Sequence, residues 1–213
     1  MKLVIFGATG GTGRALVEQA LEAGHDVTAA VRNPANYPIQ HERLHIEKAD
    51  VFDPAAVDAV MKGKNAVLSA LGTHKRGLLG AFKPDGIYSE GIKNILQGMQ
   101  KNGIRRLVCV TAAAADDQFV PQGFYGSVII PLFMRKLYAD MKLMHREISK
   151  SNFDWVVVRP AQLTDYPRTD EYRISLRPSS KDRTTRRADL AAFMLKELTD
   201  TQYLRKLPVI ADQ

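Results

Sequence analysis

Short apolar runs alternate with longer amphipathic segments along most of the chain. The runs have the length of β-strands, and they are almost continuously hydrophobic, as in strands that are buried on both faces of a sheet. The segments between them repeat apolar positions every three or four residues, which is typical of helices that cover such a sheet. The pattern predicts an α/β fold with a doubly wound parallel sheet (Rossmann-like). The predicted strands are residues 3–6, 27–31, 44–46, 66–71, 107–110 and 155–158.

A glycine-rich turn, GATGGTGR, follows the first predicted strand and precedes a helix predicted over residues 12–23. Gly7 suits a tight turn, Gly10 lets the backbone approach a pyrophosphate, and Gly13 allows the helix to pack against the sheet. The N–H groups and the dipole of the first helical turn attract phosphates. We therefore predict a dinucleotide site rather than an ordinary glycine-rich turn, with the residues Gly7, Thr9, Gly10, Gly11, Thr12 and Gly13.

Arg32 ends the second predicted strand, where enzymes that use NAD usually carry a carboxylate. A guanidinium can form bidentate hydrogen bonds with a ribose 2′-phosphate, so NADP(H) is the predicted cofactor. The alternative is that Arg32 is only a solvated arginine. Asp50 and Val51 follow the third strand and are expected to flank the adenine. Leu71 and Gly72 follow the fourth strand and are expected to lie beside the cofactor.

The length of the chain indicates a single domain that spans residues 1–213. The single cysteine, Cys109, lies in an apolar run typical of a buried thiol and excludes a disulfide within the chain. The sequence shows neither a signal peptide nor an apolar run of membrane-spanning length, so we expect a cytoplasmic protein with no membrane partner. The five histidines lack the spacing of metal ligands, and no metal site is expected.

The net charge is +7, with 30 Lys and Arg against 23 Asp and Glu. Seven of these cations cluster near the end of the chain, where they could attract an anionic substrate or form a solvated face. Nucleic acid is not expected as a partner, because aromatic residues do not alternate with the cations. The cluster consists of Arg168, Arg173, Arg177, Lys181, Arg183, Arg186 and Arg187.

Three connections are candidate substrate loops, at about residues 73–84, 116–130 and 163–185. The first two leave the carboxyl ends of predicted strands, where ligands bind in open α/β sheets; surface variation without function is the alternative. A helix is predicted to start at about Asp85, a plausible N-cap, and to end at Gly103.

Six motifs occur in the order GATGGTGR, VRNP, LGTH, SEGIKNI, VVVRPAQLTD and TTRRADLAAFML. On these motifs the chain resembles the atypical short-chain dehydrogenase/reductases of the NAD(P)-binding, NmrA-like branch, and within it the flavin reductase (biliverdin reductase B) group. The resemblance covers nearly the whole chain. It implies NADPH as hydride donor, with Thr111 among the cofactor-binding residues, and a planar flavin-, quinone- or tetrapyrrole-like acceptor as the small-molecule partner.

Two positions depart from that group. A serine that follows the threonine after the fifth strand is replaced here by Ala112, and a histidine after the sixth strand is replaced by Gln162. Neither residue supplies a proton as histidine does. The resemblance also implies that Arg183 contacts the acceptor. Ala112, Gln162 and Arg183 are therefore the candidate substrate residues.

A YxxxK motif supplies a second candidate apparatus. In the standard short-chain dehydrogenases the tyrosine is the general acid, and the lysine lowers its pKa. Tyr138 and Lys142 share a helix face here, so both are candidate catalytic residues; an amphipathic helix surface is the alternative. The sequence therefore predicts an NADPH-dependent oxidoreductase acting on a flavin or quinone. A non-catalytic NmrA-type redox sensor and a nucleotide-sugar epimerase or dehydratase remain the alternative functions.

Overall fold

A computed structural model describes residues 1–72, 86–116 and 130–213, with side chains from residue 134 onward in the last range. The strands in these ranges are β1 (Lys2–Phe6), β2 (Asp26–Val31), β3 (Leu44–Lys48), β4 (Ala66–Ser69), β5 (Arg106–Val110), β6 (Asp154–Pro160), β7 (Gln162–Thr164), β8 (Tyr172–Ser175), β9 (Thr184–Arg186) and β10 (Val209–Asp212). Eight of them form one sheet in the order β3-β2-β1-β4-β5-β6-β10-β8, and β7 pairs with β9 separately. All of these pairs except β8 with β10 are parallel, which confirms the doubly wound sheet.

Helices cover both faces of the sheet. The described residues include α1 (Gly11–Glu22), α2 (Pro54–Met61), α3 (Ser89–Lys101), α4 (Ile130–Ser149) and α5 (Arg187–Lys196). On β1, Leu3 and Ile5 pack towards the α1 and α5 side, whereas Val4 and Phe6 pack towards α2, α3 and α4. The first helix lies within one residue of its predicted bounds. None of the helices in the described ranges is long and apolar enough to cross a membrane.

The last third of the chain contains four strands that the hydrophobic pattern did not predict, β7 to β10. Strands β7, β8 and β9 lie within or beside the predicted loop at 163–185, so this segment is not an irregular loop. Strand β8 is half-buried along its length and forms the antiparallel edge of the sheet, which explains its weak apolar signal. Of the other two predicted substrate loops, residues 73–84 lie outside the described residues, as do 117–129 of the 116–130 loop.

Helix α3 begins at Ser89, four residues after the predicted N-cap Asp85, which lies outside the described residues. Its first N–H groups are instead bound by a residue of α4. The buried Asp140 carboxylate accepts the N–H of Tyr88 at 3.1 Å and that of Ser89 at 3.2 Å. A local sequence pattern cannot reveal a cap that comes from another helix.

We predict that Gly13→Ala destabilises the fold by more than Gly10→Ala does. A Cβ on Gly13 would lie 2.1 Å from the carbonyl oxygen of Gly7, so the backbone would have to move. A Cβ on Gly10 would meet the same oxygen at 3.5 Å, an ordinary contact. Overpacking of this kind costs about 1–3 kcal/mol or more. Urea denaturation of both variants measures the difference, and equal unfolding midpoints would contradict the prediction.

Candidate functional site

A groove opens at the carboxyl ends of β1, β2 and β3. We call it the sheet-edge groove, and it brings together residues that are far apart in the chain. The apolar side chains of Phe6, Phe52 and Ile87 contribute to its walls. Six of its lining residues are among those that the sequence predicted to bind a cofactor: Gly7, Thr9, Arg32, Asp50, Val51 and Leu71.

The glycine turn forms one end of this groove, and two of its glycines are required by the fold. Gly7 has a φ of +76°, and a Cβ there would lie 2.2 Å from the carbonyl oxygen of Ala70. Gly13 is held against Gly7 in the same way, as described above. Thr12 is buried beside it, whereas Thr9 is exposed and its carbonyl accepts the Nε–H of Arg14 at 3.1 Å.

The fold does not require a glycine at position 10. Gly10 is exposed, its φ of −77° and ψ of 165° are open to any residue, and an added Cβ would make only an ordinary contact. Gly10 is also the N-cap of α1, and no side chain of the described residues caps this helix. The first turn therefore presents backbone N–H groups that no side chain of the described residues binds, which suits the oxygens of a phosphate. A dinucleotide pyrophosphate fits this end of the groove.

Arg32 is exposed at the end of β2, on the rim of the groove. Among the described residues, its guanidinium has no hydrogen-bond or ion-pair partner. Asp50 accepts the N–H of Phe52 at 3.0 Å, and Val51 is buried, with its carbonyl bound by Asn94 at 2.9 Å. Gly72 lies just beyond Leu71, where a Cβ would come within 3.9 Å of the Tyr88 hydroxyl. Arg32, Asp50 and Val51 thus line one groove, where the sequence predicts the adenosine; Gly72 is not among the lining residues.

A polar cluster follows the end of β5. The buried Thr111 hydroxyl lies 2.9 Å from Nε2 of His145 on α4. Beside them Arg159 is buried, forms an ion pair with Asp116 and donates to the carbonyl of Leu176 at 3.0 Å. Burial, followed by the charge of Arg159, lowers the pKa of His145 to about 4. His145 is therefore neutral at pH 7 and holds one defined hydrogen bond to Thr111.

A wide cleft of about 530 Å³ opens beside this cluster, between α4 and the chain that precedes β10. We call it the basic cleft, because among the residues that the structure describes six cations line it against one acid, Asp116. The cations are Lys142, Arg146, Arg159, Arg177, Arg205 and Lys206. Such a cleft attracts anionic groups.

The YxxxK motif is only partly placed at this cleft. Lys142 lines it, whereas Tyr138 is not among its lining residues and packs half-buried against the core. The most buried polar residue of the motif is Asp140, which binds the start of α3 as described above. The N–H of Gln162, the first residue of β7, donates to the carbonyl of Arg183, which directly precedes β9, at 3.2 Å. Ala112 packs half-buried at the end of β5.

The predicted cationic cluster is partly solvated: four of its members are exposed and three are half-buried. The exposed ones are Arg168, Arg177, Lys181 and Arg183, and the half-buried ones are Arg173, Arg186 and Arg187. Several of its members form ion pairs, such as Arg168 with Asp170 at 2.8 Å and Arg173 with Asp182 at 2.5 Å. Arg177 lines the basic cleft, and Arg183 is exposed.

Cys109 is fully buried, and burial raises the pKa of its thiol. Within the described residues, no group of three metal-binding side chains was found.

Sequence reasoning missed the contacts that join distant segments. Asp189, fully buried on α5, accepts the N–H groups of Thr169 at 3.0 Å and of Asp170 at 2.8 Å. Arg187, at the start of α5, lies against Gly11 of the glycine turn. In the sequence, Asp189 and Arg187 stood out only as members of the TTRRADLAAFML motif, which does not indicate what its residues contact.

Comparisons with known proteins agree with this geometry. The sequence model of a family described as NAD(P)H-binding matches residues 7–201. An uncharacterized chloroplastic protein of Arabidopsis thaliana is 28% identical over 172 residues, which are 79% of this chain and 61% of the relative. The chain thus spans about three fifths of that relative's length.

Two solved structures share the fold. The oxidoreductase ylbE of Lactococcus lactis superimposes with a TM-score of 0.82 at 17% identity, covering 100% of this chain and 91% of that one. A short-chain dehydrogenase/reductase of Veillonella parvula, in complex with NADP, has a TM-score of 0.77 at 15% identity and covers 99% of this chain and 94% of that one.

The neutral His145 predicts a loss of stability in mild acid. Below pH 6.5 the unfolded chain takes up a proton on this histidine, whereas the folded protein does so only near pH 4. The free energy of unfolding should therefore fall as the pH drops from 6.5 to 4, by on the order of 2–3 kcal/mol from this group. Urea denaturation at pH 7 and pH 4.5 should show a smaller drop for His145→Gln than for the wild type. The exposed His45, changed to Gln, is the control, and an unchanged drop in His145→Gln would contradict the assignment.

Proposed function

Because the chain belongs to the NAD(P)H-binding family, we propose that it is an oxidoreductase that transfers hydride from NADPH to a flavin- or quinone-like acceptor. The observation that supports NADPH binding at the sheet-edge groove is Gly10, a glycine that neither its backbone angles nor its neighbouring atoms require. When bound, the dinucleotide supplies the hydride. The turn at Gly10 binds its phosphates, and the sheet-edge groove orients the adenosine towards Arg32.

The acceptor half of the proposal depends on the basic cleft. The cleft includes His145 and Lys142, and His145 binds Thr111 at the carboxyl end of β5. Hydride acceptors bind at this edge of a parallel sheet, beyond the strands' carboxyl ends. Arginine side chains form bidentate hydrogen bonds with phosphates and carboxylates. The cleft therefore favours an acceptor with an anionic tail, such as FMN, over a neutral quinone.

Hydride transfer to a flavin or quinone does not need the serine that Ala112 replaces, because solvent can supply the proton. The neutral His145 is a poor proton donor at pH 7, since burial holds its pKa near 4. The role we propose for its hydrogen bond is to position Thr111 rather than to move a proton. The proposed setting for this reaction is the cytoplasm, and the proposed partner is a small molecule.

A redox sensor of the NmrA type is the second candidate. The absence of a hydroxyl at Ala112 and the half-buried Tyr138 favour it, because both reduce the means for acid–base chemistry. Such a sensor would bind the dinucleotide in the same groove and turn over no acceptor.

Oxidation of NADPH at 340 nm with FMN, riboflavin and menadione tests the proposal. FMN and riboflavin share the reacting ring and differ by one phosphate, so the proposal expects a higher kcat/KM for FMN and a decrease of this advantage with added salt. Tight NADPH binding without oxidation by any acceptor would favour the sensor. A failure to bind NADPH would contradict both functions.

Arg32→Ala should weaken NADPH binding and leave NADH binding nearly unchanged. The side chain is exposed at the rim of the groove, so its loss removes a phosphate contact and little packing. The expected cost is on the order of 1.5–3 kcal/mol for NADPH alone. Isothermal titration calorimetry measures both affinities. Equal losses for the two dinucleotides, or a preference of the wild type for NADH, would contradict the NADP assignment.

Tyr138→Phe distinguishes direct hydride transfer from general acid catalysis. For FMN and menadione we expect kcat to change by less than about threefold, because neither acceptor needs a proton from this residue. A general acid would cost roughly two to four orders of magnitude. Steady-state kinetics on the wild type and on Tyr138→Phe decide between the two. NADPH affinity is the control, since it should be the same in both proteins.

A further inference from the structure

Arg187 lies directly on the glycine turn, although it belongs to the opposite end of the chain. A Cβ placed on Gly11 would come within 2.7 Å of Cδ and 2.9 Å of Nε of Arg187. The aliphatic end of the arginine therefore occupies the space that a side chain at position 11 would fill. Its guanidinium is consequently held beside the first turn of α1, where the cofactor's phosphates are expected.

The backbone of Arg187 is firmly held. It is the first residue of α5, which packs along α1 through buried residues such as Leu190 and Met194. The amide of Gln19 on α1 also donates to the carbonyl of Ala188 at 2.9 Å. Only the end of the side chain is thus able to change its partner.

The present partner of the guanidinium is an exposed carboxylate. Nη1 of Arg187 lies 2.7 Å from Oδ1 of Asp165, whose side chain is 85% exposed, whereas that of Arg187 is 27% exposed. An ion pair with so exposed an acid contributes little to the stability of the fold, because solvent screens the charges. A phosphate can therefore replace this carboxylate at small cost.

We propose that Arg187 is a phosphate ligand of the dinucleotide and that Asp165 is the group the phosphate displaces. The proposal rests on the proposed function, because it places the pyrophosphate at the Gly10 turn. It adds a cation from α5 to a site that the local motif would build from backbone N–H groups alone. It also links the cofactor to the segment after β7, since Asp165 directly follows that strand.

The two substitutions should have opposite effects on dinucleotide affinity. Arg187→Ala removes a charge-assisted contact and should weaken NADPH, NADH and ADP alike, by about tenfold or more. Asp165→Asn removes the competing carboxylate and should tighten all three, by about two- to fivefold. In the Arg187→Ala background, Asp165→Asn should have no effect. If the ion pair were purely structural, Arg187→Ala and Asp165→Asn would each lower the dinucleotide affinity or leave it unchanged.

Two neighbouring residues provide matched controls. Arg168 and Asp170 form an exposed ion pair in the segment between β7 and β8. Its N–O distance is 2.8 Å, compared with 2.7 Å between Arg187 and Asp165. Asp170→Asn changes the net charge as Asp165→Asn does, and asparagine tolerates its φ of 60°. Arg168→Ala and Asp170→Asn should both leave the affinities within twofold of the wild type.

Isothermal titration calorimetry with NADPH, NADH and ADP measures these changes, with thermal unfolding of each ligand-free variant as the check on folding. Wild-type binding that persists unchanged in Arg187→Ala overturns this proposal and leaves the proposed function intact. Equal tightening in Asp165→Asn and Asp170→Asn overturns the displacement of Asp165. If the wild type binds none of the three nucleotides, the proposed function fails, and this proposal fails with it.

Discussion

The carbonyl oxygen of Gly7 lies where the first strand, the glycine turn and the first helix meet. It accepts the N–H of Gly10 at 3.1 Å, and it is so close to Gly13 that no Cβ fits between them. On the other side, Gly7 itself touches the end of β4 through the carbonyl of Ala70. This contact sets the height of α1 above the sheet edge, and hence the direction in which its first N–H groups point. The sheet-edge groove and the position of Arg187 both depend on it.

Much of the fold could be predicted because its strands are buried on both faces. Such strands are continuously apolar, and β1, β2, β4, β5 and β6 were all visible in the sequence. The edge strand β8 and the short β7 and β9 could not be seen, since each is only partly buried or only three residues long. Strand β10 was not predicted either, although Val209, Ile210 and Ala211 are buried. The start of α3 was misplaced for another reason: its cap, Asp140, is supplied by α4 and not by the preceding residues.

The candidate site divides in a similar way. Residues of the glycine turn, together with Arg32 and Asp50, lie directly after strands, so strand prediction alone places them at one edge. The bond between Thr111 and His145, and the contact between Arg187 and Gly11, join segments 34 and 176 positions apart. Contacts of this length depend on how helices pack, which hydrophobic periodicity does not specify. The roles of Tyr138, Lys142, Ala112, Gln162 and Arg183 stay predictions.

The contact between Gly11 and Arg187 ties the evolution of two distant positions together. A chain with a larger side chain at position 11 has no room for the arginine in its present place, so a substitution there changes what residue 187 can do. Conversely, once position 187 carries a short side chain, position 11 is free to vary and could itself supply a cation. Homologous chains should therefore exchange size and charge between these two positions and should seldom carry large side chains at both.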